Sequence, residues 1–120
     1  MKRMLGILAA ITMLGGVSAN AQAPDPKKVD EGKKLYVTEK CEKCHNIDGK
    51  GAKKGPLDGV GKKLTAVEIR KWFTNTEELE AKLEKPPTGT NRMSNALKTK
   101  KLTDPQIDAL VAYMQTLVKK

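Results

Sequence analysis

The sequence predicts an all-α protein of four or so helices joined by two long irregular stretches. Apolar residues recur at helical spacing near the end of the chain, and capping-box sequences begin two of the predicted helices. Residues 46–61 are rich in glycine and residues 86–101 begin with two prolines, which predicts loops. We find no segment with the alternating pattern of a β-strand and no internal repeat.

The first predicted helix opens at Asp25 or Pro26 and runs to about Lys40. Its narrow apolar stripe consists of Val29, Gly32, Leu35 and Tyr36. In the stretch 46–61 that follows, the residues that interrupt regular structure are Gly49, Gly51, Gly55, Pro56, Gly59 and Gly61. Such a density of glycine predicts a loop.

Two shorter helices are predicted next. Thr65 and Glu68 form a capping box, and the helix that it opens runs to about Asn75. A further helix over residues 76–85 is ended by the proline pair that starts at Pro86. We therefore expect both segments to lie between the two loops.

The last predicted helix has the clearest periodicity in the chain. Thr103 and Gln106 form its capping box, and Pro105 occupies the first turn, where a missing N–H costs nothing. The helix runs from about Asp104 to Leu117 or Val118. Its apolar face consists of Ile107, Leu110, Val111, Met114 and Leu117 or Val118.

The first residues have the pattern of a cleaved secretory signal peptide. Lys2 and Arg3 precede an apolar run from Met4 to Val17, which is shorter than the roughly 20 residues of a membrane-spanning helix. Small residues follow, and we expect cleavage after Ala21 or Ala23, which leaves one domain, 24–120. The protein is then expected to be exported to the periplasm, without an integral membrane segment.

The expected domain has few large apolar side chains for its core. Its aromatic residues are Tyr36, Trp72, Phe73 and Tyr113. A domain of about 100 residues must bury enough apolar area to offset its conformational entropy. The composition therefore suggests that something other than side chains fills part of the interior.

Cys41-Glu42-Lys43-Cys44-His45 contains both cysteines and the only histidine of the sequence. Three chemistries use such residues: a zinc site, a dithiol–disulfide pair and covalent haem attachment. A structural zinc site needs four ligands, and these residues supply three in one turn. A dithiol motif is expected after a strand in a βαβ unit, and here helices flank it. The spacing Cys-x-x-Cys-His favours covalent haem, with His45 as an axial ligand of the iron.

Four features in order resemble the class I c-type cytochromes, small monohaem proteins. They are the haem motif 41–45, the loop sequence 55–60, which is similar to the family's Gly-Pro-x-Leu-x-Gly, Met93, and the final helix sequence 102–113. The resemblance covers nearly all of the expected domain. It implies one haem c held by Cys41 and Cys44, wrapped by helices of which the first and last cross.

The resemblance also implies roles for single residues. The crossing would bring Gly32 and Tyr36 against Leu110 and Tyr113. The carbonyl of Pro56 would accept a hydrogen bond from the ring N–H of His45 and orient it.

The sixth iron ligand is implied by the resemblance to be Met93. Met114, the other methionine of the expected domain, lies on the apolar face of the last helix, where core packing is its ordinary role. Met114, a lysine and an open site stay as alternatives. Many relatives have proline directly after the ligand methionine, and Ser94 in that place suggests the hypothesis of a more mobile loop.

A closed His/Met pair predicts an electron carrier and not an enzyme. The rival hypothesis is a haem subunit, enzyme or gas-binding protein with an open or labile sixth position. Such a protein would need a distal acid or base, and the sequence has no second histidine. We expect a monomer that exchanges single electrons with redox protein partners.

The chain has a formal net charge of +9. The lysines near the predicted haem are Lys40, Lys43, Lys50, Lys53, Lys54, Lys62, Lys63, Lys98, Lys100 and Lys101. Positive charge there predicts partners with acidic docking surfaces and salt-sensitive encounters. An exported protein is not expected to bind nucleic acid.

Overall fold

The computed structural model describes residues 23–119, and this part of the chain is mostly helical. Its elements are α1 (Pro26–Thr38), β1 (Asn46–Ile47), β2 (Lys50–Gly51), α2 (Val60–Lys63), α3 (Ala66–Thr74), α4 (Thr76–Ala81), α5 (Met93–Lys100) and α6 (Asp104–Gln115). A single 3₁₀ turn, Cys41–Lys43, follows α1. The predicted all-α fold is confirmed. The predicted signal peptide lies outside the described residues.

Helices α1 and α6 begin with the caps that the sequence predicts. The Asp25 side chain accepts a hydrogen bond from the N–H of Lys27 at 2.9 Å, with Pro26 in the first turn. Thr103 and Gln106 form the reciprocal capping box of α6. These side chains satisfy N–H groups that have no partner inside the helix.

The two terminal helices cross at Gly32, as predicted. A Cβ at this position would lie 2.1 Å from the carbonyl oxygen of Ala109 and 2.7 Å from the Cβ of Tyr113, so only glycine fits. Beside it the rings of Tyr36 and Tyr113 meet edge to face, with centroids 5.9 Å apart. The crossing therefore combines a backbone contact at Gly32 with an aromatic contact beside it.

The hydrophobic core lies where α6 packs against α1 and α3. Its buried members are Tyr36, Ile69, Ile107, Leu110, Val111 and Met114. Arg70 on α3 pairs with Asp104 at 3.2 Å and also contacts Asp108, which links α3 to the start of α6. Within residues 23–119, no helix is long and apolar enough to cross a bilayer.

The predicted loop 46–61 contains a small hairpin and the start of a helix. Strands β1 and β2 are antiparallel and are joined by a turn of Asp48 and Gly49, both of which have positive φ. Two central residues with positive φ are the mark of a type I′ turn, for which Asp-Gly is a preferred sequence. The strands have only two residues each, too few for an alternating pattern, and the Asp-Gly pair was the signal available.

The prediction of irregular structure over 86–101 is wrong, because α5 occupies its second half. Asn95 to Lys100 are acceptable helix formers, but Arg92, at the N-cap, makes no side-chain capping hydrogen bond. The cap comes instead from Glu80, fourteen residues earlier. A helix capped by another segment has no local start signal.

Several predicted helix ends were also too late; α3 ends at Thr74 instead of Asn75, and α6 at Gln115 instead of Leu117 or Val118. α1 ends at Thr38, since Lys40 adopts a left-handed conformation with φ 57° and turns the chain into the 3₁₀ segment. α4 ends at Ala81, and the chain beyond it runs along a cavity wall.

Candidate functional site

A largely apolar cavity of about 800 Å³ lies beside the core. It is lined by the 3₁₀ turn, the segment before α2, helices α3 and α6, and the α4–α5 region. Its apolar lining includes Tyr36, Leu57, Val60, Leu64, Ile69, Trp72, Phe73, Leu83 and Leu110. Such a space is suited to a large, flat apolar group.

The four residues predicted to hold a haem all line this one cavity. Cys41, Cys44 and His45 are contributed by the turn after α1, and Met93 by the start of α5. Met93 lies 48 positions after His45 along the chain. The tertiary structure therefore brings together a set that spans residues 41–93 of the sequence.

Backbone hydrogen bonds hold the cysteine motif in a tight turn. The carbonyl oxygen of Cys41 accepts from the N–H of Cys44 at 3.1 Å and from that of His45 at 3.0 Å. Both thiols are free; that of Cys41 is half-buried and that of Cys44 is exposed. Burial raises the pKa of the Cys41 thiol, against a smaller opposing effect of Lys100.

The His45 ring is oriented by a carbonyl, but not by the predicted one. Its Nδ1 lies 3.0 Å from the carbonyl oxygen of Gly55, so the expected contact with Pro56 is wrong by one residue. A carbonyl oxygen only accepts hydrogen bonds, so Nδ1 must donate and Nε2 is the ring nitrogen with a free lone pair.

The strand-like pairing of Asn46 with residues 55–57 explains the shift. The N–H of Asn46 donates to the carbonyl oxygen of Gly55 at 3.2 Å, and the N–H of Leu57 donates to the carbonyl oxygen of Asn46 at 2.8 Å. The Gly55 carbonyl oxygen therefore lies close to both the Asn46 N–H and the His45 ring. Gly55 itself has φ +69°, and a Cβ there would lie 2.6 Å from the Cys44 carbonyl oxygen.

Met93 is the first residue of α5, and the residue after it is firmly held. Ser94 is only 3% exposed; its N–H donates to Glu80 Oε1 at 3.0 Å and its hydroxyl donates to Oε2 at 2.7 Å. The hypothesis of a more mobile loop after Met93 is therefore not supported. Met114 also lines the cavity, but it belongs to the buried core cluster, where packing explains it.

Sequence reasoning missed Glu80 altogether. It lies among the charged residues of α4, and nothing in the local pattern distinguishes it from the exposed Glu77 and Glu78. In the structure its side chain is buried and lines the cavity. Only a contact with a distant segment reveals it.

Two buried polar atoms in the cavity wall support a haem-like occupant. Tyr36 Oη and Arg92 Nε have no hydrogen-bond partner among the described residues. Burial, with a smaller effect of Cys41, raises the pKa of Tyr36 to about 12. An apolar group that also carries carboxylates would fill the space and offer such atoms acceptors, so the residues present fit a haem.

The charged lining of the cavity is mostly basic. Its cations are Lys40, Lys43, Lys85, Arg92 and Lys100. Glu80 is the one acidic residue among the lining residues described. The charged part of the lining therefore favours anionic groups.

Comparison with protein families gives one match. A family model described as Cytochrome c matches residues 29–118, three quarters of the sequence. Comparison with curated proteins and with solved structures gives no significant match. The matched range contains the cysteine motif, the Gly55 segment and every helix except the first turn of α1.

Proposed function

We propose that this protein, which belongs to the cytochrome c family, carries single electrons through a His/Met-ligated haem. Membership of the family makes it a haem-binding electron carrier with covalent haem c. The observation that carries the proposal is the convergence of Cys41, Cys44, His45 and Met93 on one cavity. Cys41 and Cys44 would form the thioether links. His45 and Met93 would be the axial ligands.

The chain's own residues would keep this site closed and stable in both oxidation states. The Gly55 carbonyl fixes the tautomer of His45, so that Nε2 is available to the iron. The apolar lining would disfavour water beside a bound haem. When bound, the haem supplies a one-electron couple whose potential a thioether ligand raises. Because His45 and Met93 would both bind the iron, no place would be left for a substrate, and transfer would be outer-sphere.

Partners and location follow from charge and from the first residues. The exposed lysines of the cavity lining, Lys40, Lys43 and Lys85, would dock an acidic redox protein and make the encounter rate fall with salt. The signal-like sequence over residues 1–23 supports export to the periplasm. The protein would act there as a carrier between redox partners and not as an enzyme.

Spectroscopy of two methionine variants tests the ligand assignment. Ferric wild-type protein is expected to show the weak sulfur-to-iron absorption band, Met93→Ala to lose it, and Met114→Ala to keep it. An alkaline pyridine spectrum first establishes haem c in each preparation. Retention of the band in Met93→Ala, or rapid binding of carbon monoxide by native ferrous protein, would contradict His/Met ligation and favour an open or differently ligated site.

A further inference from the structure

Glu80 is an unusual residue for its position, because it is buried on a polar helix. Its side chain is 5% exposed although α4 is otherwise rich in solvated charge. Burying a carboxyl group is costly unless hydrogen bonds compensate for the lost water. The compensating donors identify what the residue holds.

Both donors belong to Ser94. The backbone N–H bonds to one carboxyl oxygen at 3.0 Å and the hydroxyl bonds to the other at 2.7 Å. Because each carboxyl oxygen accepts one hydrogen bond from Ser94, the carboxyl group binds this residue at two points. Side chain and backbone of Ser94 are therefore fixed relative to α4.

The held residue directly follows Met93 in the first turn of α5. The N-cap Arg92 contributes no side-chain capping bond, so Glu80 satisfies an N–H that the helix itself leaves without a partner. It acts as a cap supplied across the fold. Through one peptide bond it also fixes the backbone from which the Met93 side chain extends into the cavity.

We propose that Glu80 is a positioning residue that, through Ser94, keeps the Met93 thioether on the iron and so excludes external ligands. The inference rests on the proposed His/Met ligation. It predicts that weakening the Glu80–Ser94 contact raises the fraction of molecules in which Met93 has left the iron. That fraction determines how well an external base competes for the site.

The measurement is imidazole binding to the ferric, haem-loaded protein. An external ligand binds only the Met-dissociated fraction, so its apparent Kd falls in proportion as that fraction rises. Glu80→Leu removes both hydrogen bonds and is expected to tighten imidazole binding by about tenfold or more. Ser94→Ala removes only the hydroxyl bond and is expected to tighten it by about threefold.

Two further variants separate the hydrogen bonds from other effects. Glu80→Gln keeps an acceptor oxygen for the Ser94 N–H and is expected to fall between wild type and Glu80→Leu. Glu84→Leu is the matched control, because Glu84 is exposed just beyond α4 and does not line the cavity. It should bind imidazole as the wild type does.

A double-mutant cycle distinguishes positioning of Met93 from a general loosening of the cavity. In a Met93→Ala background there is no thioether to hold, so Glu80→Leu should change imidazole affinity less than twofold. Equal tightening in both backgrounds, or no tightening by Glu80→Leu and Ser94→Ala in the native background, would overturn the inference. If Glu80→Leu does not fold, Ser94→Ala carries the same cycle.

The Met93→Ala variant alone reports on the proposed function. If it neither loses the sulfur-to-iron band nor tightens imidazole binding, His/Met ligation fails, and the role of Glu80 fails with it. If Met93→Ala shows both effects while the Glu80 and Ser94 variants show none, ligation stands and only the positioning role is lost.

Discussion

Two regions of the molecule are held together in opposite ways. One is the α1–α6 crossing, and the other is the α4–α5 corner, where Thr76–Ala81 packs against Met93–Lys100. At the crossing, backbones meet at Gly32 and two tyrosine rings close over the contact. At the corner, the links are polar: the buried Glu80–Ser94 contact and an exposed Lys98–Glu77 ion pair. The crossing resembles an ordinary core, whereas the corner depends on a few hydrogen bonds.

This difference separates stability from iron coordination. We expect changes at the crossing to alter the free energy of unfolding and to leave the ligands in place. Changes at the buried part of the corner should alter ligand binding first, because Met93 begins α5. The following variants test whether the two regions can be separated in this way.

The largest effect is expected from Gly32→Ala. The added Cβ would lie 2.1 Å from the Ala109 carbonyl oxygen, and backbone cannot yield as a flexible side chain can. The gain in helix propensity, about 1 kcal/mol, is too small to offset this overlap. We expect the free energy of unfolding in guanidinium to fall by at least ~3 kcal/mol.

Lys33→Ala is the matched control for Gly32→Ala. Lys33 is the next residue of α1 and is exposed, so its replacement should change stability by no more than ~0.5 kcal/mol. A loss below ~1 kcal/mol in Gly32→Ala would mean that the helices are not in the close contact described here.

A smaller effect is expected from the ionisation of Tyr36 in the same crossing. Burial raises the pKa of Tyr36 to about 12, against about 10 in the unfolded chain. Stability should therefore be nearly constant below about pH 10 and fall by ~2 kcal/mol as pH rises from 10 to 12, because the unfolded state ionises first.

Tyr36→Phe should reduce this alkaline decline, which unfolding curves collected between pH 9 and 12 would show. The decline that remains would come from Tyr113, because burial also raises the pKa of that phenol. Tyrosinate absorbance of the folded wild type gives an independent measure of the same pKa. Identical alkaline profiles for the two proteins would show that another group is responsible.

The smallest effect is expected at the exposed part of the corner, from Lys98→Ala. The hydrogen bond from Lys98 holds the pKa of the Glu77 carboxyl below its usual range, but both side chains are 62% exposed. Exposed pairs contribute little, so stability and imidazole affinity should not change measurably. Any stabilisation of the fold by the Lys98–Glu77 ion pair would be present above the ordinary pKa of a glutamate carboxyl and would be lost as pH falls through the lowered pKa of Glu77.

An NMR titration of the Glu77 carboxyl measures this contact directly. Its pKa should return toward the ordinary value in Lys98→Ala. That of Glu68, which the capping box at Thr65 lowers, should stay where it is. Unchanged titration of Glu77 would show that the ion pair does not form in solution.

The sequence was most informative where one segment carries its own signal. The caps and apolar faces of α1, α3 and α6 depend on neighbours within a turn or two, and those helices were predicted with ends correct to within about three residues. It failed for α5, because the cap that starts this helix comes from Glu80 on another segment. It also missed by one residue the carbonyl that contacts His45, which depends on the pairing of Asn46 with residues 55–57.

By its order of residues alone, the chain determined the covalent chemistry of the site, since Cys41, Cys44 and His45 are adjacent and need no fold to be recognised. The family resemblance of the sequence also predicted the close approach of α1 and α6 at Gly32, Tyr36 and Tyr113, which the structure confirms. Only the tertiary structure decided that Met93 faces the same cavity, that Gly55 orients the histidine and that Glu80 holds Ser94. Local patterns record which face of a helix is apolar, but hydrogen bonds between distant segments form only when the whole chain has folded.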